Sequence, residues 1–297
     1  MTLRIGFIGC VKSSRAFLEV LIHMPEVDVC AVVTKQASRF NADFSDLTDI
    51  CELNSIPYHY ESVDQRGLSA EFLKNYQLDL IYCFGWSYLL DDTVLSIPKI
   101  GVIGFHPAQL PKNRGRHPII WALALGLKET ASTFFKMDSF ADSGPIISQQ
   151  TVDIMPDDKA SDLYQRILDI GAAQVRAFTL QFFNRQVKFV IQDNAQATYW
   201  RKRYRTDGLI DWRMSAQAIY NLVRALAPPY PCAEFKIDDT YIKVPECSVV
   251  LGKHPENIEP GYILAKSSDS LLVKVEGSDA VLLEKLEINF AIVGDYL

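Results

Sequence analysis

The strongest constraint on this chain is the rhythm of its first half, where short apolar runs rich in β-branched residues alternate with stretches of helix length. Leu3–Ile8 and Val27–Val33 (VDVCAVV) read as strands, as do Ile56–Tyr60, Leu78–Phe84 and Gly101–Phe105. Between them, Ser13 to about His23 sets Phe17, Leu18, Leu21 and Ile22 on one side of a helix, and further helices are expected at Asp46–Leu53 and Ser69–Tyr76. Strands that alternate with helices assemble a doubly wound, mostly parallel α/β sheet with right-handed crossovers. Such sheets collect ligands at the carboxyl ends of their strands, beside the switch point in strand order. The loops after Val33, Phe84 and Phe105 therefore border the expected cleft.

Further on, Ile119–Leu127 reads as a helix, Ser132–Met137 and Ile146–Val152 as strands, and Ser161 to Asn184 as a long amphipathic helix. The texture changes after Gln192–Ala195. One more helix, Ala216–Leu226, precedes short β-like runs at Ala233–Ile237, Tyr241–Val250, Gly261–Ala265, Leu271–Val275 and Val281–Ile288. Turn residues between them predict a smaller C-terminal, β-rich, barrel-like domain. The expected division is 1–200 and 201–297, two domains in 297 residues at roughly 150 residues each.

Composition narrows the function classes. At 48% hydrophobic and 22% charged, the chain is neither disordered nor fibrous. No apolar run approaches the roughly 18 residues of a membrane span, so no membrane partner is expected. The stretch MTLRIGFIGC runs directly into strand-like residues, so no signal peptide is expected either. A net charge of −6 argues against a general nucleic-acid binder. Six scattered cysteines form no CxxC pair, which predicts no metal site and a reducing, cytoplasmic setting. Gly6 and Gly9 lack the third glycine of a dinucleotide fingerprint and read as tight strand-to-helix packing.

Two segments carry groups suited to chemistry. The first is Gly104-Phe105-His106-Pro107, followed by Leu110-Pro111-Lys112-Asn113-Arg114-Gly115-Arg116-His117-Pro118. His106, just past a strand end, suits a general base near neutral pH, although a hydrogen-bonded loop histidine would sit there equally well. His117 reads as flanking the helix that starts near Pro118. The second segment is Met137-Asp138-Ser139-Phe140-Ala141-Asp142-Ser143-Gly144-Pro145-Ile146. Asp and Gly are ordinary turn residues, yet a carboxylate beside an imidazole orients the ring and stabilises its cation.

Taken together, the HP…LPKNRGRHP and DSGPI segments resemble the folate-dependent formyltransferase family, which includes methionyl-tRNA formyltransferase, glycinamide ribonucleotide transformylase and the nucleotide-sugar N-formyltransferases. The resemblance continues through Thr198-Tyr199-Trp200-Arg201-Lys202-Arg203, Asp207-Gly208-Leu209-Ile210-Asp211-Trp212 and Val223-Arg224-Ala225-Leu226, nearly the whole chain in order. It implies transfer of a formyl group from 10-formyltetrahydrofolate to an amine. His106 and Asp142 match the family's catalytic His and Asp, whereas Gly104 stands where the family has a catalytic Asn. Losing one oxyanion donor commonly costs about 10²–10³ in rate, so a substitute is expected from Asn113 or a protonated His106. By resemblance the folate site involves Phe84, Gly85, Trp86, Leu89, Leu90, Met137, Asp138 and Phe140. Without the resemblance, Trp86 reads first as a core residue.

The acceptor is expected to be a nucleotide-linked amino sugar. The residues expected to bind it are Lys35, Ser38 and Asn41 in the loop after Val33, with Arg116, Arg201 and Arg203. A homodimer is expected. Two alternatives stand beside this reading: methionyl-tRNA formyltransferase, for which Arg201–Arg205 would touch phosphates, and a folate-binding or formylfolate-hydrolysing relative, for which Gly104 is the sign.

Overall fold

The run LRIGFI builds the central strand, β1 (Leu3–Ile8), whose side chains are almost all buried because both faces of the sheet are covered. The computed structural model describes residues 2–38, 42–62, 66–252, 254–288 and 293–297. After β1 come α1 (Lys12–Ile22), β2 (Val27–Thr34), α2 (Thr48–Leu53), β3 (Tyr58–Tyr60) and α3 (Arg66–Lys74). β4 (Leu80–Cys83), α4 (Asp92–Leu95), β5 (Gly101–His106) and β6 (Arg114–Gly115) follow, then α5 (Pro118–Ala124), β7 (Glu129–Lys136), β8 (Ile146–Asp153), α6 (Ala160–Phe183) and β9 (Tyr199–Trp200). The C-terminal stretch holds α7 (Ala216–Leu226), β10 (Ala233–Ile237), β11 (Thr240–Val244), β12 (Glu246–Val250), β13 (Ile263–Lys266), β14 (Leu271–Lys274) and β15 (Ala280–Glu284).

The chain divides into two compact units. The first comprises Met1–Gly115, Thr130–Val152 and Gln165–Trp200; the second comprises Arg116–Glu129, Asp153–Tyr164 and Arg201–Leu297. Two stretches ahead of residue 200, Arg116–Glu129 and Asp153–Tyr164, group with the second unit, where the sequence leads one to expect a single division at that point.

The first unit is built on a seven-stranded sheet of order β3-β2-β1-β4-β5-β7-β8. β3 through β5 pair in parallel, and β7 joins β5 antiparallel. The order reverses between β1 and β4, so the crevice opens at the ends marked by Ile8, Cys83 and His106. Aromatic side chains lock the sheet to its helices. Phe17 of α1 meets Phe84, Phe105 and Phe134 with ring centroids 5.5, 5.2 and 5.6 Å away, the edge-on geometry that aromatic rings prefer. Gly9 permits the tight turn into α1: a Cβ there would lie 2.5 Å from Ser14 Cβ and 2.6 Å from the Phe84 carbonyl oxygen. Ser14 Oγ donates to that same oxygen at 2.6 Å, pinning the start of α1 to the end of β4.

In the second unit, α7 buries Ile219, Leu222, Val223 and Leu226. It packs on α5, β12 and β15. The expected single run Tyr241–Val250 is two strands, because Pro245 breaks the ladder between β11 and β12. β10 and β11 form a hairpin, and the other four make an antiparallel sheet of order β12-β15-β14-β13. Among the described residues no helix is long and apolar enough to cross a membrane.

Candidate active site

β5 delivers a histidine to the carboxyl edge of the sheet. His106 is its last residue, and Pro107, which has no N–H, cannot extend the ladder. The imidazole is buried between two oxygen atoms. Nε2 lies 2.8 Å from the Asn113 carbonyl oxygen, and Nδ1 lies 3.6 Å from Asp142 Oδ2. A carbonyl oxygen only accepts, so Nε2 carries a hydrogen in this arrangement. Nδ1 is then the ring atom left able to exchange a proton, and it faces a carboxylate.

Asp142 itself is held from the other side. Its Oδ2 accepts from the Gly115 backbone N–H at 2.8 Å, and its backbone is left-handed, with φ 54°. Asn113 is also left-handed, φ 64°, a conformation that Asn tolerates better than most residues. That turn aims its carbonyl at His106. The Asn113 side chain points to Thr198, with Thr198 Oγ1 donating to Asn113 Oδ1 at 3.2 Å while accepting from the Asn113 N–H at 2.8 Å. His106, Asp142 and Asn113 lie together, but Asn113 meets the ring with its backbone carbonyl, an acceptor, and not with the donor expected of it.

At Gly104 there is no room for a side chain. A Cβ at Gly104 would lie 2.8 Å from Met137 Cγ and 2.9 Å from Phe135 Cζ. The corner is filled by a thioether chain and a ring edge.

Of the residues expected to meet folate, Trp86, Leu90 and Met137 are brought together, partly buried against the core cluster around Cys83 and Val102. Phe84 is fully buried within the aromatic core, so it offers the cleft only its backbone. Gly85 has φ 66°, and a Cβ there would fall 2.0 Å from Val11 Cγ2. Only glycine fits. Leu89 and Phe140 stand in solvent, 62% and 75% exposed. Asp138 closes its own loop: its Oδ1 accepts from the Phe140 N–H at 3.0 Å and from Ser143 Oγ at 2.7 Å.

Lys35 follows β2 and lies across the same aromatic group, its Nζ 4.5 Å from the Trp86 ring centroid and 4.2 Å from that of Tyr88. Ser38 lies further along this loop, and Asn41 falls outside the described residues. Arg116, Arg201 and Arg203 belong to the second unit. Arg201 is bidentate to Asp207, at 2.7 and 2.5 Å, and holds that carboxyl well below the usual carboxylate range. Arg203 donates to the Asp207 carbonyl and stacks on Trp121 with 4.5 Å to the ring centroid. His117 caps α5 as expected, with φ 57° and without a side-chain cap bond. Burial and the nearby Arg116, Arg203 and Lys202 lower its pKa.

Two residues that sequence reasoning did not single out touch this site. Arg114, 2% exposed, and Gln192, 7% exposed, lie behind the Asp142 loop. An arginine inside a loop of otherwise turn-forming residues was the available signal for the first; nothing local marks Gln192.

Comparison with known proteins places the arrangement. The model of the formyl transferase family matches residues 15–177, and that of the formyl transferase C-terminal domain matches 203–290. This chain belongs to the formyl transferase family. It is a folate-dependent formyltransferase with the family's N- and C-terminal parts in order. It is 30% identical over 289 residues to the methionyl-tRNA formyltransferase of Staphylococcus epidermidis, covering 96% of this chain and 91% of that one. Among solved structures it resembles WlaRD, a sugar 3N-formyl transferase crystallised with dTDP and 5-N-formyl-THF. The TM-score is 0.72 at 16% identity over 98% of this chain and 100% of that one. It also resembles an N-formyltransferase from Helicobacter canadensis in complex with folinic acid and dTDP-3-aminofucose, with a TM-score of 0.73, 17% identity, and coverage of 96% and 100%. At such identities these formyltransferase structures establish the shared fold.

Proposed function

We propose that this formyltransferase moves the formyl group of 10-formyltetrahydrofolate to the amine of a nucleotide-linked amino sugar. The observation that carries the acceptor class is the state of the basic run. Within it Arg201 is closed by Asp207 and Arg205 by Glu234 at 2.8 Å, and beyond it Arg213 is closed by Asp211 at 2.6 Å. Arginines committed to carboxylates are poorly placed to neutralise an RNA backbone, and residues 229–297 carry about twice as many Asp and Glu as Lys and Arg. The two structural relatives named above, crystallised with dTDP and with a dTDP-sugar, support this reading. The 30% identity to a methionyl-tRNA formyltransferase supports tRNA as the second reading.

In this mechanism the uncharged amine attacks the formyl carbon, and a C–N bond forms. The amine proton passes to His106 Nδ1, beside Asp142, which stabilises the imidazolium. The bond from the formyl carbon to N10 then breaks, and His106 returns the proton to N10 of tetrahydrofolate. Once protonated, the ring offers its Nδ1–H as the donor that Gly104 lacks, since the Nε2–H is held by the Asn113 carbonyl. Trp86, Leu90 and Met137 flank the pterin and limit loss of formyl to water. Lys35 and Ser38 meet the nucleotide side of the acceptor.

The test is turnover with 10-formyltetrahydrofolate and a panel of UDP-, TDP- and GDP-linked amino sugars, with charged initiator tRNA alongside. A sugar product heavier by one formyl group is the expected result. Formylation of tRNA alone would overturn the acceptor class, and release of formate without an acceptor would indicate a hydrolase.

A further inference from the structure

Arg114 is a fully buried cation among neutral acceptors. Its Nε and Nη2 donate to Gln192 Oε1 at 3.2 and 2.8 Å, Nη2 donates to Asn194 Oδ1 at 2.8 Å, and Nη1 donates to the Tyr199 hydroxyl at 3.0 Å. The other end of the Gln192 amide is also committed. Its Nε2 donates to the Asp142 carbonyl at 2.9 Å and to the Gly144 carbonyl at 2.7 Å. Gln192 thus joins a guanidinium to both ends of the turn that presents the Asp142 carboxylate.

The neighbours of Arg114 in sequence complete the pattern. Asn113 accepts from His106 through its carbonyl, and Gly115 donates to Asp142 Oδ2 through its N–H. The short strand β6 is itself paired to β9 in parallel, with Arg114 opposite Tyr199 and Gly115 opposite Trp200. Three consecutive residues therefore grip the imidazole, the amide of Gln192 and the carboxylate. A burial this deep leaves the guanidinium no water, so its orientation is set by these neutral oxygens. A charged donor polarises the amide it binds and strengthens the bonds made by the amide's other end. The left-handed backbone of Asp142 is held at its own carbonyl by one of those bonds.

We propose that Arg114 and Gln192 are positioning residues of the formyl-transfer site: Arg114 orients the Gln192 amide, and that amide fixes the Asp142 turn against His106. The inference rests on the assignment of His106 and Asp142 to catalysis. It adds two residues that touch neither the donor nor the acceptor and whose effect is on the geometry between the two catalytic groups.

Gln192→Glu separates this role from general stability. A glutamate keeps acceptors for Arg114, indeed charged ones, but has no N–H for the Asp142 and Gly144 carbonyls. Tyr199→Phe is the milder variant, removing one acceptor of Arg114 from a mostly exposed ring. The first readout needs no acceptor: the imidazole N–H resonance of His106, assigned by its loss in His106→Asn, in the enzyme with folinic acid. We expect Gln192→Glu to move or broaden this resonance while folinic acid still binds within about threefold of wild type. With 10-formyltetrahydrofolate and dTDP-3-aminofucose, kcat should fall at least about tenfold while KM for the folate changes less than about threefold, as a small displacement of reacting groups produces. Tyr199→Phe should shift the same resonance in the same direction by a smaller amount. A wild-type resonance in both variants would overturn the proposal, whatever the turnover. Should His106→Asn turn over normally, the catalytic assignment would fail instead, and the resonance experiment would still report whether the clamp holds the ring.

Discussion

Three arginine pairs of the second unit and the His106–Asp142 pair of the first unit treat charge in opposite ways. In the second, Arg201, Arg205 and Arg213 each meet a carboxylate at 2.5 to 2.8 Å, and each is a closed pair. In the first, His106 and Asp142 stand 3.6 Å apart, each gripped by backbone from the 113–115 segment, and neither is closed by the other. Closed pairs at a surface contribute little to stability, because water and salt screen them. A buried pair kept just short of closure retains a ring nitrogen that can still exchange a proton. The contrast separates charge that holds a fold from charge that is left able to do chemistry.

The predictions probe this contrast in order of effect. His106→Asn should lower turnover by about 10³-fold or more, within the range of general acid–base contributions, while binding of folinic acid measured by calorimetry stays near wild type. Equal turnover in that variant would erase the distinction between the units. Asp142→Asn keeps an acceptor for the Gly115 N–H but removes the charge facing the ring, and kcat should fall about 10²-fold, in line with the smaller effects of lost acid–base support.

Gly104→Asn places a side chain where Met137 and Phe135 now sit. Crowding of this kind costs about 1–3 kcal/mol, so the melting temperature should fall by several degrees. Met137→Ala in the same chain should recover most of that loss. If Gly104→Asn alone raised both stability and rate, the filled corner would not be a working part of the site.

The smallest effect belongs to the second unit. Arg213 draws the carboxyl of Asp211 down to about 2 from its ordinary 3.8. A depressed carboxylate contributes stability above its unfolded value and loses it as the pH falls through the folded one. Asp211→Asn should therefore melt slightly below wild type at neutral pH, by no more than a degree or two for so exposed a pair. That difference should close between about pH 4 and 2. A larger gap, or one that grows in acid, would mean that these pairs do more than hold a surface together.

Much of this was legible in the sequence for a physical reason. The parallel strands are buried on both faces, so Val27–Thr34 and Gly101–His106 announce themselves as apolar runs, and His106 and Asp142 lie in segments whose turn chemistry surrounds them with glycine and proline. The division of Tyr241–Val250 at Pro245 was less visible, because both halves alternate as strands do. Gln192 was not legible at all: it lies about 50 residues from Asp142 in the chain, and only the fold brings its amide to the turn. Arg201 shows the converse. A basic run reads as a phosphate site until the fold supplies Asp207, whose carboxylate claims it.

The most direct measurement of the central claim is the mass of the product formed from 10-formyltetrahydrofolate and dTDP-3-aminofucose, by the wild-type chain and by His106→Asn side by side. The account predicts a sugar nucleotide heavier by one formyl group with the first and unchanged acceptor with the second. Formylated product from both, or from neither while charged initiator tRNA is formylated, would contradict it.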